Sequence, residues 1–576
     1  MTDPFSIFVG SVALFKEAWL IANFIYRTAN SVKNSQEERK KVMTDMQWEL
    51  NMLRSFGRYF TQGNGVIMND TEVDNVRTST CTFTRFDVTN VPTLQIWLNM
   101  IEDVLQGMLQ DFSVYATIAR TEDLDYRKFL NNSSESAGID DVDIDRNIPK
   151  PAEFSTEASF FSKLPQLLQG RKTRLKEAAS ATRWALWDKR RLEVVVVAFR
   201  SRNMKLKDVL QMADASLAQR AASANQSGNP PADVDARRLG ITAHAEIRKI
   251  VAASSDDGGD YDLDGTILDP IAEANSLRVG TYQSVKRGNS TTEAVLVEYK
   301  SYPRILGGLN DYEIQEVKST LHSRVHKLAS LLASSGDNDL GTLPFKGLLH
   351  QPELSRDAFV FHFPSDTLTS EAVSLHSVIA TQVPGNAWPL ESRFAVAQSL
   401  ARSIAKLHID GWIHKSIRSH SVVFFKNRTD GKLLVNSPYL VDFEYSRPES
   451  GSTMRLHVSD YERNLYRHPD LQDVDPSSSS MVHDIYSLGV VLLEIALWQT
   501  VGDIYKRTKK ELNASGLQKL YLDGTRKKVG HTMGSSYQSV VLACLDSKYK
   551  DQTRRRDFPR IFHEEVLQKL STKAAL

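Results

Sequence analysis

The sequence predicts a multidomain chain in which an N-terminal all-α helical bundle precedes a C-terminal α+β domain. Three observations carry this prediction. Apolar residues recur at helical spacing through most of the first 210 residues. A stretch rich in Ala, Ser, Gly, Pro and Asp follows from Ser216 to Asp264. Beyond it, β-rich runs such as 293–300 and 358–363 precede long helical patterns at 391–409 and 484–497, and strands first with helices later is an α+β arrangement. At roughly 100 to 200 residues per domain, 576 residues allow about three folding units or two larger ones. The boundaries drawn are 1–212 for the bundle, 213–265 for a linker carrying one short helix, and 266–576 for the α+β domain.

In the bundle, Pro4 to Tyr26 is apolar almost all round, with Ser6, Gly10 and Glu17 along one narrow stripe, as in a helix built to be surrounded. Ser35 and Glu38 form a capping-box pair for a second helix carrying Val42, Met46, Leu50 and Leu53, expected to end near Gly57. A third begins after Pro92 with Leu94, Trp97, Ile101, Val104 and Met108 on one face. Residues 131–152 are polar, acidic and aperiodic, hence a loop or insertion. Helical pattern returns near Glu157 and runs through Trp184, Trp187 and Leu192 to about Leu210. In the linker only 241–253 has helical character.

Composition narrows the function. Lys and Arg number 71 against 70 Asp and Glu, a net charge of +1, so no overall positive field attracts phosphate backbones and nucleic acid is not an expected partner. Cys81 and Cys544 are too few and too distant for a disulfide framework or a cysteine metal site, which points to a cytoplasmic setting. Asp3 stands where a basic leader would begin, and Lys16 and Glu17 interrupt the apolar run, so neither a secretory signal nor an ordinary transmembrane span is expected.

The informative stretch is Leu407 to Arg447. A helix ends in Leu407-His408, His414-Lys415-Ser416 follows, Ser421 stands five residues beyond Ser416, and Asp442-Phe443-Glu444 comes after a hairpin. Downstream lie Tyr466-Arg467-His468-Pro469-Asp470 and Asp484-Ile485-Tyr486-Ser487-Leu488-Gly489; upstream lie Glu298 and Lys300, then a helical pattern at 316–332 that includes Glu316. In this order and spacing the segment resembles the bilobal protein-kinase fold, whose H-R-D loop, following Asn, D-F-G and A-P-E elements fall at these places. The resemblance implies that Asp484, Gly489, Pro469 and Asp470 are fold positions, with Asp484 capping the loop backbone. It also implies Lys300, Asp442 and Gly280 as nucleotide contacts, with Lys300 or its neighbour Glu298 at the place of the strand lysine, Glu316 as the pairing acid, and Asp442 the one magnesium ligand.

The same resemblance implies a site emptied of catalysis. Ser416 stands where kinases carry the aspartate that orients the substrate hydroxyl, and loss of a general base costs about 10²- to 10⁴-fold. Ser421 replaces the metal-binding asparagine with a neutral hydroxyl, a poorer ligand for a hard cation. Glu444 replaces the D-F-G glycine and brings negative charge near the place of a polyphosphate. Gly280 and Gly288 lack the spacing of a phosphate-cradling loop. No catalytic residue is therefore expected, ATP and magnesium are at most weak ligands, and no cofactor is required. Asp410 and Asp430 are the acids available as displaced substitutes.

The opening apolar helix, two further long helices and Arg183-Trp184-Ala185-Leu186-Trp187-Asp188 resemble the HeLo domain of fungal heterokaryon-incompatibility and prion-inhibition and propagation proteins over residues 1–212. That family's first helix is implicated in membrane insertion, though Lys16 and Glu17 oppose insertion without partners. Together the resemblances imply a signalling pseudokinase that controls a helical cell-death effector through protein partners, self-association and a membrane on activation, with phosphorylation between Ser446 and Ser459 as one trigger. The alternative is a weakly active Ser/Thr protein kinase recruited by its helical domain. Two other patterns carry less. Asp260, Asp262, Asp264 and Gly265 begin like a calcium loop, but Ile271 occupies the place of its bidentate carboxylate. The basic cluster Arg554-Arg555-Arg556 reads as a solvated face or a partner for Asp470.

Overall fold

The computed structural model describes scattered positions between Ser11 and Tyr26 and residues 37–62, 91–118, 189–223, 234–253, 261–268, 277–286, 289–301, 311–334, 340–354, 356–369, 372–381, 387–450, 461–472, 478–509, 511–546 and 558–571. The chain divides into two compact units, Met1–Thr242 and Ala243–Leu576.

In the first unit the described elements are helical: α1 (Glu37–Gln62), α2 (Val91–Ile118), α3 (Lys189–Ser223) and α4 (Val234–Arg238). Val42, Met46, Leu50 and Leu53 of α1 are buried, as are Trp97, Ile101 and Met108 of α2, so each helix turns inward the stripe its spacing draws. Helix α1 continues through Gly57 to Gln62, past its expected end, because Phe56 and Tyr59 extend the buried face and outweigh the ~1 kcal/mol helix penalty of one glycine. Helix α3 holds the other two. Phe199 meets Phe112 edge-on at 5.0 Å, Arg202 bonds Asp111 at 2.7 Å, and Arg200 and Asn203 both donate to Glu49. At that crossing Gly107 leaves room for the Arg202 guanidinium, which would lie 2.1 Å from an added Cβ and would have to shift.

The helical unit reaches beyond the expected 212 boundary. Helix α3 runs to Ser223; Ala236, Leu239 and Ile241 are fully buried; Gln211 donates to the Leu239 carbonyl and Arg238 to Ser55 Oγ. The Ala- and Ser-rich composition hid this small apolar patch, which needs few large side chains. Near the N-terminus, Ser11, Leu14, Phe15, Ala18, Ile21, Ala22 and Ile25 are helical and buried at three- and four-residue intervals. No helix among the described residues is long and apolar enough to cross a membrane. Lys16, Glu17, Ser35, residues 131–152 and Trp184 to Asp188 lie outside the described residues.

The second unit begins within α5 (Ile241–Ala252), the short helix expected in the linker. Strands β1 (Thr266–Leu268), β2 (Leu277–Lys286), β3 (Asn289–Ser301), β4 (Phe345–Gln351) and β5 (Arg356–Phe361) form an antiparallel sheet in the order β1-β2-β3-β5-β4, and α6 (Asp311–Ala333) packs against β4. Val295 and Val297 of β3 join Tyr282, Ala358 and Val360 in one core. Strand alternation turns Glu298 and Lys300 to the other face, and Lys300 is paired with Asp357 across the ladder.

Helices dominate the rest: α7 (Leu375–Thr381), α8 (Leu390–Ile409), α9 (Met481–Leu497), α10 (Val501–Lys506), α11 (Ala514–Gly524), α12 (Gly530–Leu545) and α13 (Phe558–Phe562). Short strands β6 (Val373–Ser374), β7 (Trp412–Ile413), β8 (Val422–Phe424), β9 (Tyr439–Leu440) and β10 (Arg447–Pro448) make two ribbons, β6-β8-β9 and β7-β10. Helix α9 is buried along nearly its whole length, and Gly489 lets α12 approach so closely that an added Cβ would lie 2.8 Å from Cys544 Cβ.

Candidate functional site

The loops at the ends of the two ribbons, together with β3, converge on Asp442. This residue adopts left-handed backbone geometry (φ 75°, ψ 50°), and its side chain is fully enclosed. Its Oδ2 accepts hydrogen bonds from Ser416 Oγ at 2.6 Å and from Arg418 Nε and Nη2 at 3.2 and 2.8 Å; Arg463 Nη1 stands 3.7 Å away and donates to Ser416 Oγ at 2.9 Å. One oxygen thus holds a hydroxyl and a guanidinium with a second guanidinium beside it. The other, Oδ1, is buried with no hydrogen-bond partner among the described residues.

The backbone at Asp442 is fixed from β3. Glu298 accepts N–H bonds from Asp442 at 2.9 Å and Phe443 at 3.0 Å, one on each carboxylate oxygen. Burial pushes the Glu298 carboxyl up to about 8, against the pull of those two N–H groups. Two residues along the same strand face, Lys300 donates to the carbonyls of Glu444 and Ser446. Burial, with Lys415 nearby, lowers its ammonium to about 8. Glu444 is half-buried, and burial followed by the Asp442 charge raises its carboxyl above the ordinary range.

A second buried carboxylate holds the loop before Ser416. Asp484, in the first turn of α9, accepts the N–H groups of His414 at 2.7 Å and Lys415 at 2.9 Å, with His408 Nε2 at 3.2 Å. Burial favours its acid form, but His408, His414 and the backbone bonds hold it net below the ordinary carboxylate range. Lys415 needs this support, since its φ of 66° is left-handed. His414 is fully buried, packs on Phe443 at 4.7 Å between ring centroids, and burial lowers its imidazole below the ordinary range. Ser421 closes the following turn: its hydroxyl accepts the Arg418 N–H at 3.0 Å and donates to the Arg418 carbonyl at 2.8 Å.

The structure therefore brings together Lys300, His414, Ser416 and Asp442, with Asp484 and Ser421 supporting the loop between them. Other expected positions stand apart. Gly280 lies inside β2 opposite Val295 and forms no turn, and Gly288 lies outside the described residues. Pro469 and Asp470 form a 3₁₀ turn closed on His468 Nδ1. Glu316 belongs to α6, with its side chain outside the described set, as are Asp260, Ile271 and Arg554 to Arg556. Neither displaced acid joins the cluster. Asp410 is fully buried against His244 Nδ1 at 2.8 and 2.9 Å, and Asp430 closes an exposed turn on the Lys432 N–H.

Three participants escaped sequence reasoning: Arg418, Arg463 and the backbone-clasping role of Glu298. Arg418 is two residues from Ser416 in the sequence, which was the available signal. Residues 343–574 are similar to a domain of unknown function, DUF7580, a match that includes Ser416, Asp442 and Asp484 but begins after β3 with Glu298 and Lys300. No curated protein matches the chain.

Proposed function

We propose that the second unit is a pseudokinase with a bilobal protein-kinase-like fold, which signals through protein partners and controls the N-terminal helices as a HeLo-like cell-death effector. One observation carries the reading: the carboxylate at the D-F-G position is clasped by Ser416, Arg418 and Arg463. A divalent cation at Asp442 would have to displace a guanidinium or use Oδ1 beside two positive side chains. Phosphoryl transfer is chiefly positioning and charge neutralisation, so a site that spends its metal-binding carboxylate on arginines has lost the centre of that chemistry. Ser416 supplies no base, and Ser421 spends its hydroxyl on a backbone turn. Lys300 is held on two carbonyls, away from the phosphate-gripping role of its kinase counterpart.

The effector half of the proposal rests on the buried apolar face from Ser11 to Ile25, a segment that would present itself to a membrane or a second copy only on release. Full-length protein incubated with labelled ATP and magnesium, with Asp442→Asn as control, tests the first half. Incorporation that depends on Asp442 would overturn it in favour of a weakly active Ser/Thr kinase; the expected result is none. Flotation and dye leakage with phosphatidylserine vesicles test the second half. Leakage is expected to rise when Ser452 and Thr453 are both changed to Asp, and a chain that neither floats nor leaks vesicles in either form would remove the membrane output.

A further inference from the structure

Away from the Asp442 cluster, α6 carries His322 and His326 one turn apart, the spacing at which two imidazoles share one helix face. Strand β4 sets His350 beside them. Candidate ligand nitrogens of the three rings lie within 4.8 Å of one another, and the ring centroids are 4.2, 5.5 and 5.6 Å apart. The His350 ring is oriented by its neighbours. Its Nδ1 bonds Asp357 Oδ1 at 2.7 Å, and its Nε2 stands 3.2 Å from Asp262 Oδ1. The Asp357 side chain is 2% exposed and that of Asp262 is 49% exposed.

A buried carboxylate on one imidazole nitrogen, with the other turned toward further ligands, is how proteins fix the tautomer and raise the basicity of a metal-binding histidine. One pair already stands at ligand spacing. Two ligand atoms bound at about 2.0–2.1 Å on a tetrahedral zinc stand about 3.3 Å apart, close to the separation of His350 Nε2 and Asp262 Oδ1. His322 is exposed and can swing the remaining distance. The other histidine group, His468 with Asp470 and His483, is arranged differently: each Nδ1 accepts a backbone N–H, from Asp470 and Ser480, so these rings close turns.

We propose that His322, His326, His350 and Asp262 form a binding site for a zinc-class divalent ion, with Asp357 as its orienting carboxylate. Three imidazoles and one carboxylate form a nitrogen-and-oxygen set that suits such an ion. Ligands from α6, β4 and the segment before β1 would tie these three parts of the second unit together, making the position of α6 dependent on metal.

The test uses full-length protein stripped with a chelator and titrated with cobalt(II), then zinc. One equivalent of cobalt should bind with the visible bands of a tetrahedral site and be displaced by zinc, and zinc should slow amide exchange in α6 and β4. His322→Ala and Asp262→Asn alter exposed groups and should weaken binding at least about 10-fold, the lower end of what losing even an outer partner costs. His531→Ala, at an exposed histidine in another helix, should bind as wild type. Wild-type protein that binds no stoichiometric metal, or equal binding by wild type and both ligand variants, would overturn the proposal.

Discussion

Replacing Arg418 with Met tests whether the Asp442 clasp is a structural lock. The variant keeps the aliphatic part of the side chain and removes two N–H bonds at 2.8 and 3.2 Å from a carboxylate with no exposed surface. Breaking a buried ion pair by removing one partner costs about 3–5 kcal/mol, because the surviving charge remains desolvated. Ser416 still donates to Oδ2, and Arg463 remains at 3.7 Å, so the expected cost is near the lower end, about 3 kcal/mol. Arg418 is 12% exposed, which removes little from that figure.

Amide exchange on the full chain reads the effect where it arises. The N–H groups of His414 and Lys415, held by Asp484, and those of Asp442 and Phe443, held by Glu298, should exchange about 100-fold faster, since each 1.4 kcal/mol is tenfold. Combining Arg418→Met with Asp442→Asn should recover part of the loss, because the charge that needed the arginine is gone; a coupling of about 2 kcal/mol is expected for groups in direct contact. Additive single effects, or a variant whose exchange matches wild type, would refute the lock. The same variant should gain magnesium-dependent thermal stabilisation by ATP, because one of the two guanidinium groups no longer competes with a cation for the Asp442 carboxylate.

Three further outcomes follow from other parts of the second unit. Glu298 is raised to about 8 from an unfolded value near 4.5, so the folded state holds the extra proton between those values and stability falls as pH rises through that window, by up to about 1.4 kcal/mol per unit. Glu298→Gln should flatten that slope in urea midpoints measured from pH 5 to 9. His244→Ala should destabilise by about 3–5 kcal/mol and speed exchange in α5, because it strands the Asp410 carboxylate with neither component solvated. Gly489→Ala should lower the melting temperature through a cost of about 1–3 kcal/mol, since its Cβ would press on Cys544 in a packed helix crossing.

Elements were legible where periodicity alone decides. The stripes of α1 and α2, the strands around 293–300 and 358–363 and the helices α8 and α9 each appear where apolar spacing put them. Ends were less legible, because Gly57 and the Ala-rich stretch past Leu210 weaken local signal while tertiary burial extends the helix. Within the site, His414, Ser416, Asp442 and Asp484 were legible as members of short ordered motifs. The direction of Lys300 was not. Strand alternation fixes which face it occupies, but its partners at Glu444 and Ser446 are set by a loop more than 140 residues away. Arg463 was invisible for the same reason: its role depends on where a distant turn places a guanidinium.

The site also separates carboxylates that hold backbone from carboxylates that would meet a ligand. Asp484 spends both oxygens on the His414-Lys415 turn, and Glu298 spends both on the Asp442-Phe443 turn. Those roles need geometry and no chemistry, and both are met here with full hydrogen bonding. The positions that the proposed kinase-like reading would turn toward a ligand are otherwise engaged: Ser416 donates to Asp442, Ser421 closes a turn, and Asp442 is paired with arginine. The loop frame is fully hydrogen-bonded, and the positive charge beside Asp442 comes from Arg418 and Arg463. Such an arrangement is fixed in one conformation by its own side chains. On the proposed pseudokinase reading, that fixed frame is what would present a surface to a partner.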